Sequence, residues 1–166
     1  MGHEISKKGI RPKKSLLDSI TEVAAPQNKD ELRSFLGLVE FYSKFVSNFS
    51  ARTHTIRNLM KNKIPYEWSS ECEREFKDVK IAIAAAPALQ GFDPQWRSCI
   101  TTDASKRGLG AVLSQFDEKG NEVIIAYASR ALSPTEERYA VIEREALACA
   151  WALEHFRAFV WGKFVR

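Results

Sequence analysis

Long apolar runs are missing from this chain. No stretch of about 18 consecutive apolar residues occurs, so no membrane-spanning helix is expected. The first residues, Met1-Gly2-His3-Glu4-Ile5-Ser6-Lys7-Lys8, lack the apolar region of a secretory signal, so an intracellular protein is expected. Cysteine is scarce: Cys72, Cys99 and Cys149 stand far apart. An odd count without CxxC spacing argues for reduced thiols and against a zinc site. Histidine is scarce too. His3 and His54 read as surface residues, and His155 as packing at a helix end.

The 166 residues suffice for one medium domain, or a small domain with an appendage, and 45% of them are hydrophobic. Charge is uneven along the chain. Residues 1–63 carry 12 Lys/Arg against 6 Asp/Glu, residues 64–96 carry 3 against 6, and residues 97–166 carry 10 against 9. The basic first third suits contact with a phosphate backbone, or equally a solvated basic surface.

Three segments follow from pattern. Residues 1–63 read as mostly helical after a strand-like start and a Lys7-Lys8-Gly9 turn. Pro12 opens a short helix with Leu16, Leu17 and Ile20 on one face. Asn28 and Glu31 form a capping box. The helix after it carries Leu32, Phe35, Leu36, Val39, Tyr42, Phe45 and Val46 at spacings of three and four, which predicts about five amphipathic turns. A third helix follows Ser50, with Ile56, Leu59 and Met60 inward. Residues 64–96 read as a connector, with Ser70 and Glu73 capping a helix that Ala86-Pro87 ends.

Residues 97–166 predict three strands and a long helix. The strands are Ser98–Asp103, Gly108–Phe116 and Val123–Ser129, the last two joined by a turn containing Gly120. Ser133-Pro134-Thr135-Glu136 reads as a strong helix start, with the helix running to about Trp161 and Gly162 as its stop. Lys163–Arg166 would begin a fourth strand. Asp103 ends the first strand and Glu145 lies on the long helix, a pairing able to hold a divalent cation. Alone, Asp103 reads more readily as a turn or cap residue. Glu143 rivals Glu145, and the two project about 200° apart, so only one can face Asp103.

Several motifs carry a family resemblance. Leu32-Arg33-Ser34-Phe35-Leu36-Gly37-Leu38 with Phe41-Tyr42-Ser43-Lys44-Phe45-Val46 resembles the thumb of gypsy-class LTR-retrotransposon reverse transcriptases. Gly2-His3-Glu4-Ile5-Ser6 with Gly9-Ile10 resembles the end of the palm. Trp68, Phe76 and Ala86-Pro87-Ala88-Leu89 resemble the tether into RNase H. Thr102-Asp103-Ala104-Ser105, Gly108-Leu109-Gly110-Ala111-Val112-Leu113-Ser114-Gln115, Tyr127-Ala128-Ser129-Arg130-Ala131-Leu132-Ser133 and Glu143-Arg144-Glu145-Ala146-Leu147-Ala148 resemble the first half of the RNase H domain.

The resemblance implies an α/β (α+β) fold: a helical thumb-like bundle over 1–63, a tether over 64–96, and the N-terminal half of an RNase H-like domain over 97–166. It implies Mg²⁺-dependent hydrolysis of RNA in RNA–DNA hybrids, with Mn²⁺ as a substitute. Two ions about 4 Å apart would bind the scissile phosphate, Asp103 bridging them and Glu145 ligating one. The alignment selects Glu145 over Glu143. The family's paired Asp-Asp polymerase site is absent, so DNA synthesis is not expected. Two of four family carboxylates are present, so weak metal binding and activity near background are expected. Lys106, Arg107 and Ser105, in the turn beside Asp103, and Lys13 and Lys14 in the basic segment are candidate nucleic-acid contacts. Ser105 reads also as a turn hydroxyl, and Lys106 and Arg107 as a solvated pair. The expected partner is an RNA–DNA hybrid or other nucleic acid, not a membrane. A sheet edge left unpaired would invite self-association.

Overall fold

The computed structural model describes residues 3–6 and 9–162. The expected turn at Lys7-Lys8 and the expected fourth strand at Lys163–Arg166 lie outside the described residues. Among the described residues no helix is long and apolar enough to cross a membrane.

A hairpin comes first: β1 (His3–Ser6) pairs antiparallel with β2 (Gly9–Pro12). Ile10 and Leu89 exchange two backbone hydrogen bonds at 2.7 and 2.8 Å, tying the hairpin to the chain that leaves the bundle. Gly9 makes this possible. Its φ is +110°, and a Cβ there would overlap the Leu89 carbonyl. His3 is not a plain surface residue: its ring stacks on Phe41 at 4.6 Å.

The bundle follows. Helix α1 (Lys14–Glu22) buries Ile20, with Leu16 and Leu17 packed beside it. Helix α2 (Lys29–Glu40) begins at Asn28, whose side chain accepts from the Asp30 and Glu31 amides at 3.1 and 2.9 Å. It ends at Glu40, short of the expected five turns. Beyond it Tyr42 and Phe45 still reach the core, but through turns and a 3₁₀ helix at Ser43–Phe45. Spacings of three and four are met by either geometry. The third helix is two short pieces, α3 (Phe49–Arg52) and α4 (His54–Asn58).

Helix α5 (Ser70–Ala84) is capped one residue earlier than expected. Ser69 Oγ accepts from the Cys72 amide at 3.2 Å. Glu73 instead accepts from Trp68 Nε1 at 2.8 Å and pairs with Lys77 at 3.0 Å. The Trp68 hydrogen bond first, then Lys77, hold its carboxyl below the usual range. Although α5 falls in the connector, Cys72, Phe76, Val79 and Ile83 complete the bundle core with Leu32, Phe35 and Val39. Each such fully buried large side chain contributes about 1.5–3 kcal/mol.

Strands β3 (Arg97–Ala104), β4 (Leu109–Phe116) and β5 (Glu122–Arg130) form one antiparallel sheet in the order β3-β4-β5, with an irregularity at Leu113/Ser114. Its two faces have different occupants. Leu109, Ala111 and Leu113 pack under the long C-terminal helix with Ala148, Ala152 and Phe156. Ile124 and Tyr127 pack on the bundle core.

The long helix differs from expectation at both ends. Ser133 and Glu136 do exchange capping bonds, Ser133 N to Glu136 Oε2 at 2.7 Å and Glu136 N to Ser133 Oγ at 3.3 Å. They start only a 3₁₀ turn at Glu136–Arg138, after which Tyr139 is extended (φ −65°, ψ 147°). Helix α6 (Val141–His155) begins later, with Glu143 Oε2 accepting from the Ala140 amide at 2.7 Å. It breaks at Phe156, before α7 (Arg157–Val160) and Gly162 at φ +73°. His155 packs between Trp151 and Phe156, as its place at the helix end suggests.

Candidate functional site

Asp103 is the penultimate residue of β3 and pairs across the ladder with Gly110. Helix α6 runs antiparallel along β3. Ile100 packs with the Ala152 and Phe156 end of the helix, and Ala104 with the Leu147 and Ala148 end. Between them Thr102 Oγ1 meets Cys149 Sγ at 3.3 Å. Glu145 lies one turn before Cys149, so it stands at the same end of the strand–helix pair as Asp103. Both residues are exposed. Glu143 is occupied in capping α6, which leaves Glu145 as the available carboxylate of the two.

The two carboxylates do not share a face of the sheet. Ile100, Thr102 and Ala104 point to α6, so Asp103 points the other way, toward the bundle. There Asn48 Nδ2 donates to Asp103 Oδ2 at 3.0 Å. Asp103 and Glu145 thus stand at the same end of the sheet, on opposite faces. Arg144 is buried, and its Nε and Nη1 have no hydrogen-bond partner among the described residues.

The turn after Asp103 is firmly built. Ser105 Oγ accepts from the Arg107 and Gly108 amides at 3.1 and 3.2 Å, and Ser105 N donates to the Gly108 carbonyl at 3.0 Å. Ser105 is therefore a turn hydroxyl. Arg107 pairs with Glu71 at 2.8 Å and with Glu75 at 3.4 Å, so its charge is already answered within the protein. Glu75 is itself buried and accepts from the Thr55 amide and hydroxyl, both at 2.7 Å, and from the Ile56 amide at 3.1 Å. A carboxylate from α5 thus caps α4 from a distance. Lys106 is exposed in the turn, and Lys13 and Lys14 are exposed at the start of α1. The strongest electrostatic feature lies nearby. Arg130 grips Glu136 through Nη1 and Nη2 at 2.8 and 2.9 Å, and with the Ser133 amide holds its carboxyl down to about 2.

Residues 68–166 match the RNase H-like domain found in reverse transcriptase. The chain belongs to that family. It is 37% identical over 163 residues to the retrovirus-related Pol polyprotein from transposon 412 of Drosophila melanogaster, covering 98% of this chain and 13% of that protein. It is 32% identical over 160 residues to the transposon Tf2-3 polyprotein of Schizosaccharomyces pombe, covering 96% of this chain and 12% of that protein. The chain therefore spans about an eighth of the length of these relatives. Its fold is similar to the foamy viral protease-reverse transcriptase solved with dsDNA, at TM-score 0.83 and 25% identity, over 99% of this chain and 34% of that one. The same enzyme solved with an RNA/DNA hybrid matches at TM-score 0.82 and 24% identity, over 99% and 22%.

For an RNase H-like domain the donor chemistry here suits Mg²⁺. Both groups are hard carboxylate oxygens, exposed at the same end of the sheet, and Mg²⁺ is commonly held by one or two carboxylates completed by water and substrate phosphate. Among the described residues no group of three or more His, Cys, Asp or Glu side chains gathers to hold a metal ion. Asn48 and Glu75 take part through partners far away in sequence, with no local signal of their roles. A glycine inside a strand, such as Gly110, does signal close approach of another segment.

Proposed function

We propose that this RNase H-like chain contributes Asp103 and Glu145 to a Mg²⁺-dependent site for cleaving the RNA strand of RNA–DNA hybrids, as part of a retrotransposon Pol polyprotein. The observation that carries this is the antiparallel packing of β3 on α6, with Thr102 against Cys149, which brings a strand-end Asp and a helical Glu to one end of the sheet. Bound Mg²⁺ would neutralise the phosphate and lower the pKa of an attacking water. Asp103 and Glu145 would supply oxygen ligands, and the firm turn at Ser105 would fix where Asp103 stands. Asp103 and Glu145 by themselves would hold such an ion weakly, because two carboxylates supply few ligands and little negative charge. Cleavage by this chain alone is therefore expected near background.

The basic first third, at 12 Lys/Arg against 6 Asp/Glu, favours a second role as a nucleic-acid-binding module without catalysis. Arg107, being ion-paired, is a weaker candidate for phosphate contact than Lys106, Lys13 or Lys14. The solved foamy viral complexes with dsDNA and with RNA/DNA hybrid support nucleic acid as the partner class. The outer strands of the three-stranded sheet, β3 and β5, are the edges at which self-association would occur.

The test combines hybrid binding, hybrid cleavage and Mn²⁺ affinity on the purified chain. Salt-dependent hybrid binding, background cleavage, and weak Mn²⁺ binding lost in Asp103→Asn and Glu145→Gln support the proposal. Mn²⁺ binding indifferent to both substitutions refutes the site. Robust turnover abolished by Asp103→Asn refutes the expectation of background activity.

A further inference from the structure

We propose that Asn48 is a positioning residue for Asp103, and that the turn around Asn48–Ser50 clamps one cross-strand row of the sheet. The inference rests on Asp103 being a metal ligand, as proposed above. The row is Asp103, Gly110 and Ser129: Asp103 pairs with Gly110 in one ladder, and Gly110 with Ser129 in the next. The three lie side by side on the bundle face.

The bundle turn grips both ends of this row. Asn48 Nδ2 donates to Asp103 Oδ2 at 3.0 Å, and the Ser50 amide donates to Ser129 Oγ at 2.9 Å. The middle of the row must be bare. A Cβ on Gly110 would overlap Asn48 Oδ1. Asn48 itself sits in the left-handed region (φ 52°, ψ 33°), the one non-glycine residue with positive φ among those described. After glycine, Asn enters that region most readily. Turn shape, missing side chain and amide donor are therefore matched to one another across 55 residues of sequence.

The choice of donor suits a cation ligand. A ligating carboxylate is usually hydrogen-bonded in turn, and that outer contact fixes its orientation. Asn48 is neutral, so it orients Asp103 without cancelling its charge. Arg107, four residues after Asp103, is instead committed to Glu71 and Glu75. Asn48 takes Oδ2 and leaves Oδ1 for a metal.

The test measures Mn²⁺ affinity by electron paramagnetic resonance on the full chain, as wild type, Asn48→Gly, Ser129→Ala, Asp103→Asn and the Asn48→Gly/Asp103→Asn double variant. Urea unfolding of each without metal is run in parallel. Glycine accepts the left-handed backbone, so Asn48→Gly removes little beyond the amide. Ser129→Ala weakens docking and leaves the amide in place. Asn48→Gly is expected to bind Mn²⁺ about 10–100-fold more weakly, with no further loss in the double variant relative to Asp103→Asn. Ser129→Ala is expected to lower the urea midpoint with less than a tenfold change in affinity. Unchanged or tighter binding in Asn48→Gly overturns the inference. So does an equal loss in Ser129→Ala, which would make docking alone the cause. Wild-type binding no tighter than that of Asp103→Asn would instead remove the metal site itself, and the inference with it.

Discussion

The two faces of the β3-β4-β5 sheet are held in different ways. Toward α6 the contact is mainly apolar, with Leu109, Ala111 and Leu113 under Ala148, Ala152 and Phe156 and one polar contact, Thr102 to Cys149. Toward the bundle, apolar packing of Ile124 and Tyr127 is joined by directed polar bonds: Asn48 to Asp103, Ser50 to Ser129, and Arg107 to Glu71 and Glu75. Apolar packing tolerates changes of partner as long as volume is kept. Directed bonds between buried or half-buried polar groups do not, because a lost partner leaves the other unsatisfied. The α6 face thus supplies stability, and the bundle face supplies register between the two parts.

The larger loss is expected on the apolar side. Leu113 is fully buried, so Leu113→Ala should destabilise the chain by about 2–5 kcal/mol in urea unfolding. On the polar side the largest loss is expected at Glu75. Glu75→Ala leaves the α4 amides without their acceptor and Arg107 with Glu71 alone, and should cost about 2–4 kcal/mol. If Glu75→Ala proves as mild as an ordinary surface change, the two faces do not differ as described. Gly110→Ala sharpens the comparison further. It drives Asn48 off Asp103, with an expected loss of about 1–3 kcal/mol and a shift of the Asn48 side-chain amide signal in nuclear magnetic resonance spectra.

The smallest effect concerns the pair of Arg130 and Glu136, at the edge of the α6 contact where Arg130 lies over the Trp151 ring. Glu136 has its carboxyl lowered to about 2 by Arg130 and by Ser133. A lowered folded-state value means the pair stabilises the fold fully above the ordinary carboxylate range, near pH 4.5, and that this stability is lost as pH falls toward 2. Glu136→Gln should cost about 1–2 kcal/mol at neutral pH. It should also flatten stability against pH between 4.5 and 2, measured by thermal unfolding across that range. A wild-type curve already flat there would show that the pair contributes nothing.

Local chemistry carried much of the fold into the sequence. Asn28 caps α2 because its side chain meets amides two and three residues away, and Gly120 turns the β4–β5 hairpin with φ +80°. Strand alternation foretold the sheet, and the family motifs pointed to Asp103 and Glu145. What escaped was decided at long range. Ser133 and Glu136 carry every sign of a helix start, yet Arg130 holds Glu136 and the chain leaves the helical region at Tyr139. Arg107 looked solvated because Glu71 and Glu75 lie 36 and 32 residues away. The shift of Asp103 to the bundle face follows from strand parity, but its partner Asn48 had no local signature beyond an Asn ahead of Phe49-Ser50.

The proposed site requires Asp103 and Glu145, at one end of the sheet but on opposite faces, to bind the same cation. Paramagnetic broadening of backbone amide signals by sub-stoichiometric Mn²⁺ tests it most directly. Selective broadening around both Thr102–Ser105 and Arg144–Ala146, lost together in Asp103→Asn, is the predicted result. Broadening confined to one of these segments, or centred elsewhere in the chain, would contradict it.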